Sequence, residues 1–218
     1  MTNEGAIESA KEPTNAPSTY GLILAGGLAR RMGGGDKTLI RVGDRTILER
    51  AIARLGCQCA GLLVNANGDL SRFSRFGLPV VADDVEGFAG PLAGILAGLD
   101  WVAAKAPAID WVVSVPGDCP FLPGDLVARF HAARAAKRLP LACARSGEWR
   151  HPVVGLWPVA LRDDLRGALG GGLRKIEAWT EKHGVAPAEW PADPVDPFFN
   201  VNTPEDAAEA ERMAQCGA

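Results

Sequence analysis

The 218-residue sequence predicts an α/β domain built on a mostly parallel sheet with helices on both faces. Three observations point there. Short apolar runs of strand length recur along the chain, and segments with helical apolar spacing separate most of them, so the strands need crossover connections. Glycine-rich or polar clusters follow several of the apolar runs, at the strand ends where ligands sit in such sheets. Hydrophobic residues make up 47% and charged residues 22%, which is ordinary globular usage.

The elements follow in order. Residues 1–19 carry Glu, Lys, Pro, Asn and Ser without an apolar run. They read as a disordered leader, not a signal peptide, and leave 20–218 as a single domain. Residues 20–24 are the first strand, and a glycine-rich loop follows. Thr46 and Glu49 form a capping box that opens a helix through Leu55, stopped by Gly56. Residues 62–64 and 78–82 are the next strands. Pro91 fits the first turn of a helix whose buried face is Leu92, Ile95, Leu96, Leu99 and Val102. Residues 111–115 are a strongly apolar fourth strand, and Asp125 opens a helix through Lys137.

Beyond residue 139 the pattern loosens. Residues 141–144 and 153–157 read as strands around a turn at Ser146 and Gly147, with helices expected over 159–168 and 173–182. Thr203 with Pro204 starts the last helix. Core packing explains most of the six tryptophans, but Trp149 and Trp190 have no evident place.

The loop at residues 24–37, L-A-G-G-L-A-R-R-M-G-G-G-D-K, is the most telling segment. Glycines let backbone N–H groups approach a polyphosphate, and Arg31 and Lys37 can neutralise its charge. It is not a P-loop, because Asp36 stands where glycine must precede the lysine. It is not a dinucleotide fingerprint either, because Thr38 stands where the third glycine belongs. A flexible surface loop is the bland alternative, but it gives no reason to place such charges directly after a buried strand.

Net charge is −3, so there is no basic footprint for nucleic acid. No segment is long and apolar enough to span a membrane. The five cysteines, an odd number, argue for a reducing compartment, and C-x-C at Cys57 and Cys59 lacks a second pair for zinc. The cytoplasm is the expected location.

The glycine loop resembles the signature of the molybdenum cofactor guanylyltransferases. Further matches come in order: V-N-A-N from Val64, A-D-D-V-E-G-F-A-G-P-L-A-G-I from Ala82, P-G-D-C-P from Pro116, H-P-V-V from His151 and F-N-V-N-T-P-E-D from Phe199. The resemblance covers residues 20–213 and implies a Rossmann-like three-layer nucleotidyltransferase fold. It implies transfer of GMP from GTP to the terminal phosphate of molybdopterin, with pyrophosphate released and Mg²⁺ as cofactor. Molybdoenzyme maturation proteins are further implied partners. A related cytidylyl or other nucleotidyl transferase, and a silent cofactor carrier, are the alternatives.

The resemblance also assigns roles. Lys37 and Arg31 meet the triphosphate, and Asp118 binds the metal. The backbone of Leu24, Ala25, Gly26 and Gly27 reads the base; Gly26 favours GTP, because relatives that use CTP tend to carry A-A-G there. Asn65 and Asp83 contact the nucleotide. Local readings stand beside these roles: Asp118 as a turn aspartate, and Asp83 with Asp84 as a solvated pair. Beyond these, Arg150, His151, Arg174, Lys175, Asn200 and Asn202 in the C-terminal half can meet the acceptor's anionic phosphate, with His151 equally readable as a satisfied structural histidine. There too Arg174 and Lys175 can be an exposed helix face, and Asn202 can simply precede a helix.

Overall fold

The computed structural model describes residues 16–26, 37–85 and 90–215. Seven strands form one sheet in the order β5-β4-β1-β6-β8-β7-β9. They are β1 (Thr19–Leu24), β4 (Gly61–Asn65), β5 (Val80–Val81), β6 (Trp111–Pro116), β7 (Leu141–Ser146), β8 (Trp149–Pro158) and β9 (Val185–Trp190). Only β8 runs against the rest, pairing antiparallel with β6 and β7. A two-stranded hairpin, β2 (Arg41–Val42) with β3 (Arg45–Thr46), stands apart. Thr19, placed by sequence in the leader, is already paired with Trp111 in β1. Residues 1–15 lie outside the described residues.

Six helices accompany the strands among the described residues: α1 (Ile47–Gly56), α2 (Pro91–Lys105), α3 (Leu126–Lys137), α4 (Arg162–Gly170), α5 (Ile176–His183) and α6 (Pro204–Gln215). Alternate residues of each strand face opposite layers. Ile23 and Val113 pack with Leu48, Ala51 and Leu55 of α1 and with Leu126 and Phe130 of α3. Leu22 and Val112 pack on the other face with α2, α4 and α5. All five apolar positions expected for α2 are buried there, each contributing about 1.5–3 kcal/mol. A third cluster of Val42, Ile47, Phe121, Val201 and Ala210 holds the hairpin and α6.

Local chemistry sets the helix ends. Thr46 accepts from the Glu49 N–H while the Glu49 carboxylate accepts from the Thr46 N–H, so the expected capping box forms. Asp125 precedes α3 but does not cap it. Its carboxylate accepts from Trp190 Nε1 at 2.8 Å and pairs with Arg129. That bond, with edge contacts to Phe130 and Phe198, places Trp190. The helix expected at 159 begins instead at Arg162, after a 3-10 turn over Val159–Leu161. Arg174 and Lys175, expected inside a helix, precede α5. No described helix is long and apolar enough to cross a membrane.

One buried polar link closes the sheet where it changes direction. Ser114 Oγ donates to Val153 O at 2.6 Å and accepts from Trp157 Nε1 at 2.8 Å. Ser114→Ala strands the buried Trp157 N–H and the partly buried Val153 carbonyl, which costs about 2–4 kcal/mol. Thermal unfolding followed by circular dichroism should show a fall of roughly 5–12 °C; an unchanged midpoint would show that the link contributes nothing.

Candidate active site

The carboxyl ends of β1, β4, β5 and β6 open on one crevice of about 400 Å³, large enough for a mononucleotide. Leu24, Gly26, Asn65, Asn67, Asp83, Pro116 and Asp118 line it, with Gly90 and Pro91 at the start of α2 and Val153 of β8. Backbone bonds draw the strand ends together. Ala25 N–H donates to Asn65 O at 2.8 Å and Gly117 N–H to Leu24 O at 2.9 Å. Only glycine fits at 117, because a Cβ would stand 2.8 Å from Thr38 Cγ2.

The acidic pair after β5 divides its work. Asp83 is clamped by Asn65 Nδ2 at 2.9 Å and Asn67 Nδ2 at 2.8 Å, and its own N–H donates to Asn67 Oδ1. Asp84 is 82% exposed and faces Arg166. Asn65 is buried, and its amide protons go to Asp83 and to Val81 O. It therefore meets the crevice mainly by aiming Asp83. Asn67, which with Asn65 follows the second strand read from the sequence, lines the crevice as well.

Gly94 makes this arrangement possible. A Cβ there would lie 2.3 Å from Asn65 Oδ1 and 2.9 Å from Leu24 Cδ2, so α2 packs directly on the Asn65 amide. Gly94→Ala should push that amide off Asp83. Nucleotide KM should rise about tenfold while the midpoint falls by a few degrees. Equal nucleotide affinity in variant and parent would free Asn65 of this constraint.

Asp118 follows β6 in the P-G-D-C-P turn. Its Oδ1 is buried without a hydrogen-bond partner. Burial pushes its carboxyl above the usual carboxylate range, and the Lys37 ammonium opposes that push. A hard divalent cation suits such an oxygen. The described residues contain no cluster of three or more His, Cys, Asp or Glu able to hold a metal. A cation here would share its coordination with substrate oxygens, as Mg²⁺ commonly does.

The C-terminal strap bonds to Asp118 and its neighbour Cys119 beside the crevice, although Lys37, Asn200 and Asn202 are not among the lining residues. Lys37 Nζ donates to Asn202 Oδ1 at 2.7 Å, the Cys119 thiol donates to Asn200 Oδ1, and Val201 N–H donates to Asp118 O at 3.0 Å. Asn202 is held in turn by Asp206, whose carboxylate accepts from the N–H groups of Asn202 and Thr203. His151 does not line the crevice. Its Nε2 pairs with buried Ser146 Oγ at 2.7 Å and its ring packs on Phe198. Arg174 and Lys175 also lie off the crevice lining. Arg31, Gly27 and most of the glycine loop, residues 27–36, lie outside the described residues.

Comparison with known proteins shows the family and the fold. The family described as a MobA-like NTP transferase domain matches residues 21–185. A molybdenum cofactor guanylyltransferase of Nitrobacter hamburgensis is 59% identical over 199 residues, covering 91% of this chain and 95% of that protein. Among solved structures, molybdopterin-guanine dinucleotide biosynthesis protein A of Archaeoglobus fulgidus has a TM-score of 0.70 at 21% identity, covering 90% of this chain and 99% of that one. Rv0371C of Mycobacterium tuberculosis, solved in complex with manganese, has a TM-score of 0.63 at 18% identity, over 90% and 99%. At such identities the two structures show a shared fold.

Proposed function

The chain belongs to the MobA-like NTP transferase family, among the molybdenum cofactor guanylyltransferases, and from that premise we propose how its crevice divides the work. The enzyme transfers GMP from GTP to the terminal phosphate of molybdopterin and releases pyrophosphate. One observation carries the assignment of the site: Asp118, which lines a nucleotide-sized crevice, has a buried, unpartnered Oδ1, and the Lys37 ammonium is near enough to act on its charge.

Guanine and ribose lie along the ends of β1 and β4, against the backbone of Leu24, Ala25, Gly26 and Gly27. Gly26 has open space where a Cβ would stand. Asp83 accepts from donors on the nucleoside, and Asn65 and Asn67 hold its carboxylate in place. Lys37 and Arg31 neutralise the triphosphate. Asp118 would hold a divalent cation, Mg²⁺ in this reading, which when bound offsets charge on the phosphates. The attacking phosphate is already anionic, so no strong general base is required. Rate then rests on in-line positioning and charge neutralisation.

The acceptor enters from the β8 side, where Asn200 and Asn202 meet its phosphate and Arg174 with Lys175 form an outer cationic lip. His151 steadies that wall through Ser146. Cytoplasmic residence fits the free thiols of Cys57, Cys59, Cys119 and Cys143. Molybdoenzyme maturation proteins would then receive the product.

The test is pyrophosphate release from GTP and, separately, from CTP, with Mg²⁺ and molybdopterin. Release with GTP alone is the expected result. Release with CTP would move the enzyme to cytidylyl transfer, and release with neither would leave a carrier.

A further inference from the structure

We propose that Cys119 is a positioning residue for the acceptor phosphate: its thiol and the Lys37 ammonium turn the NH₂ groups of Asn200 and Asn202 outward as a paired anion site. The proposal rests on the reading above and adds to it the means by which the two amides are oriented.

Along the strap burial alternates. Val201 is fully buried in the cluster with α6, Asn200 is exposed and Asn202 is half-buried. The two asparagines therefore share the face that Val201 leaves. Each carboxamide oxygen is taken by a donor from the nucleotide half of the site, Cys119 Sγ for Asn200 and Lys37 Nζ for Asn202. An ammonium only donates, so it fixes which end of Asn202 it meets. The thiol acts in the same sense. It has one proton, and Asn200 Oδ1 lies nearer to it than its other acceptor, Phe198 O at 3.7 Å.

A carboxamide carries its oxygen and its NH₂ on opposite sides. With both oxygens engaged, the NH₂ ends are what the pair offers, and among the described residues neither donates to a protein group. The polarity matters beside Asp118. An asparagine free to flip could turn its oxygen outward and meet a phosphate with the repulsive end of its dipole. The phosphate is either the acceptor's or part of the nucleotide's triphosphate. The reading above brings the acceptor to this strap, so the acceptor's phosphate is the one assigned here.

Steady-state kinetics of Cys119→Ala and Cys119→Ser, with GTP and molybdopterin varied in turn, test this. Alanine removes the donor and should raise the molybdopterin KM about tenfold, leaving the GTP KM within about twofold. Serine restores a donor and should recover most of the loss, which mere packing would not. Asn200→Asp, an exposed and isosteric change, puts a carboxylate where the NH₂ stood and should raise the molybdopterin KM at least as much, even if Cys119→Ala folds poorly. An unchanged molybdopterin KM in Cys119→Ala or Asn200→Asp would overturn the proposal. So would an equal rise in both KM values, and a rise in the GTP KM alone would put the pair on the triphosphate. Absence of pyrophosphate release from GTP in the parent enzyme would instead remove the guanylyl-transfer reading itself.

Discussion

Lys37→Ala lowers kcat/KM for GTP by about 10²–10³-fold and leaves the thermal midpoint within about 2 °C of the parent. The asymmetry follows from what Lys37 touches. It stands in a short 3-10 turn (Lys37–Leu39), whose one buried residue is its neighbour Thr38. Its side chain donates to Asn202, itself held at the start of α6 by Asp206, so the fold loses one half-buried contact. The chemistry loses more. An ammonium has three donors, and the bond to Asn202 aims it beside Asp118 with capacity left for phosphate oxygens. Without it, charge gathering on the leaving pyrophosphate meets a buried carboxylate with less cation to offset it. Lys37→Arg should recover part of the loss, since the charge returns but the planar fork does not fit a site shaped for a point charge. Turnover of Lys37→Ala within threefold of the parent would remove Lys37 from the triphosphate site.

What was legible in the sequence was what local physics writes there. The capping box at Thr46 and Glu49 and the apolar face of α2 each need only neighbours along one helix, and both formed. β9 carries no such signal: Pro187 interrupts V-A-P-A-E-W, and the strand is tolerated because it lies at the sheet edge, paired with β7 alone. The β2–β3 hairpin has two residues per strand, too few to show a period. The run in β8 is visible as apolar, but its direction against β6 depends on partners that sequence does not display.

The candidate site divides in the same way. Leu24, Gly26, Asn65, Asp83 and Asp118 converge because each ends or follows a strand of one sheet, and the strands could be read. The bonds from Lys37 to Asn202 and from Cys119 to Asn200 join positions 165 and 81 residues apart. No spacing rule reaches that far, and the acceptor-side asparagines therefore gave no sign of resting on the nucleotide half. Trp149, 74% exposed at the β7–β8 turn, is not core, and nothing in the structure explains it.

Asp118→Asn separates catalysis from stability in the opposite sense to an ordinary core change. Burial raises the Asp118 carboxyl, with Lys37 opposing, and Oδ1 lacks a partner, so the ionised group costs the folded state free energy at neutral pH. The sign follows by linkage. A carboxyl raised on folding binds its proton more tightly in the native state, so its contribution is most favourable below the unfolded value near 3.8 and is lost as pH rises through the folded value. Without divalent cation, the asparagine variant should therefore melt no lower than the parent near pH 7, and its stability should lack that decline. With cation the order reverses. At ten times its dissociation constant, a cation that binds only the native parent adds about 1.4 kcal/mol, or roughly 3–5 °C, and the variant should gain none of it. Turnover of the variant should fall by about 10²–10³-fold, because the amide cannot replace the carboxylate as a hard anionic ligand. Scanning calorimetry of both proteins, with and without Mg²⁺, checks the stability half. A full cation-induced shift in Asp118→Asn would place the metal on other residues and return Asp118 to the turn it occupies.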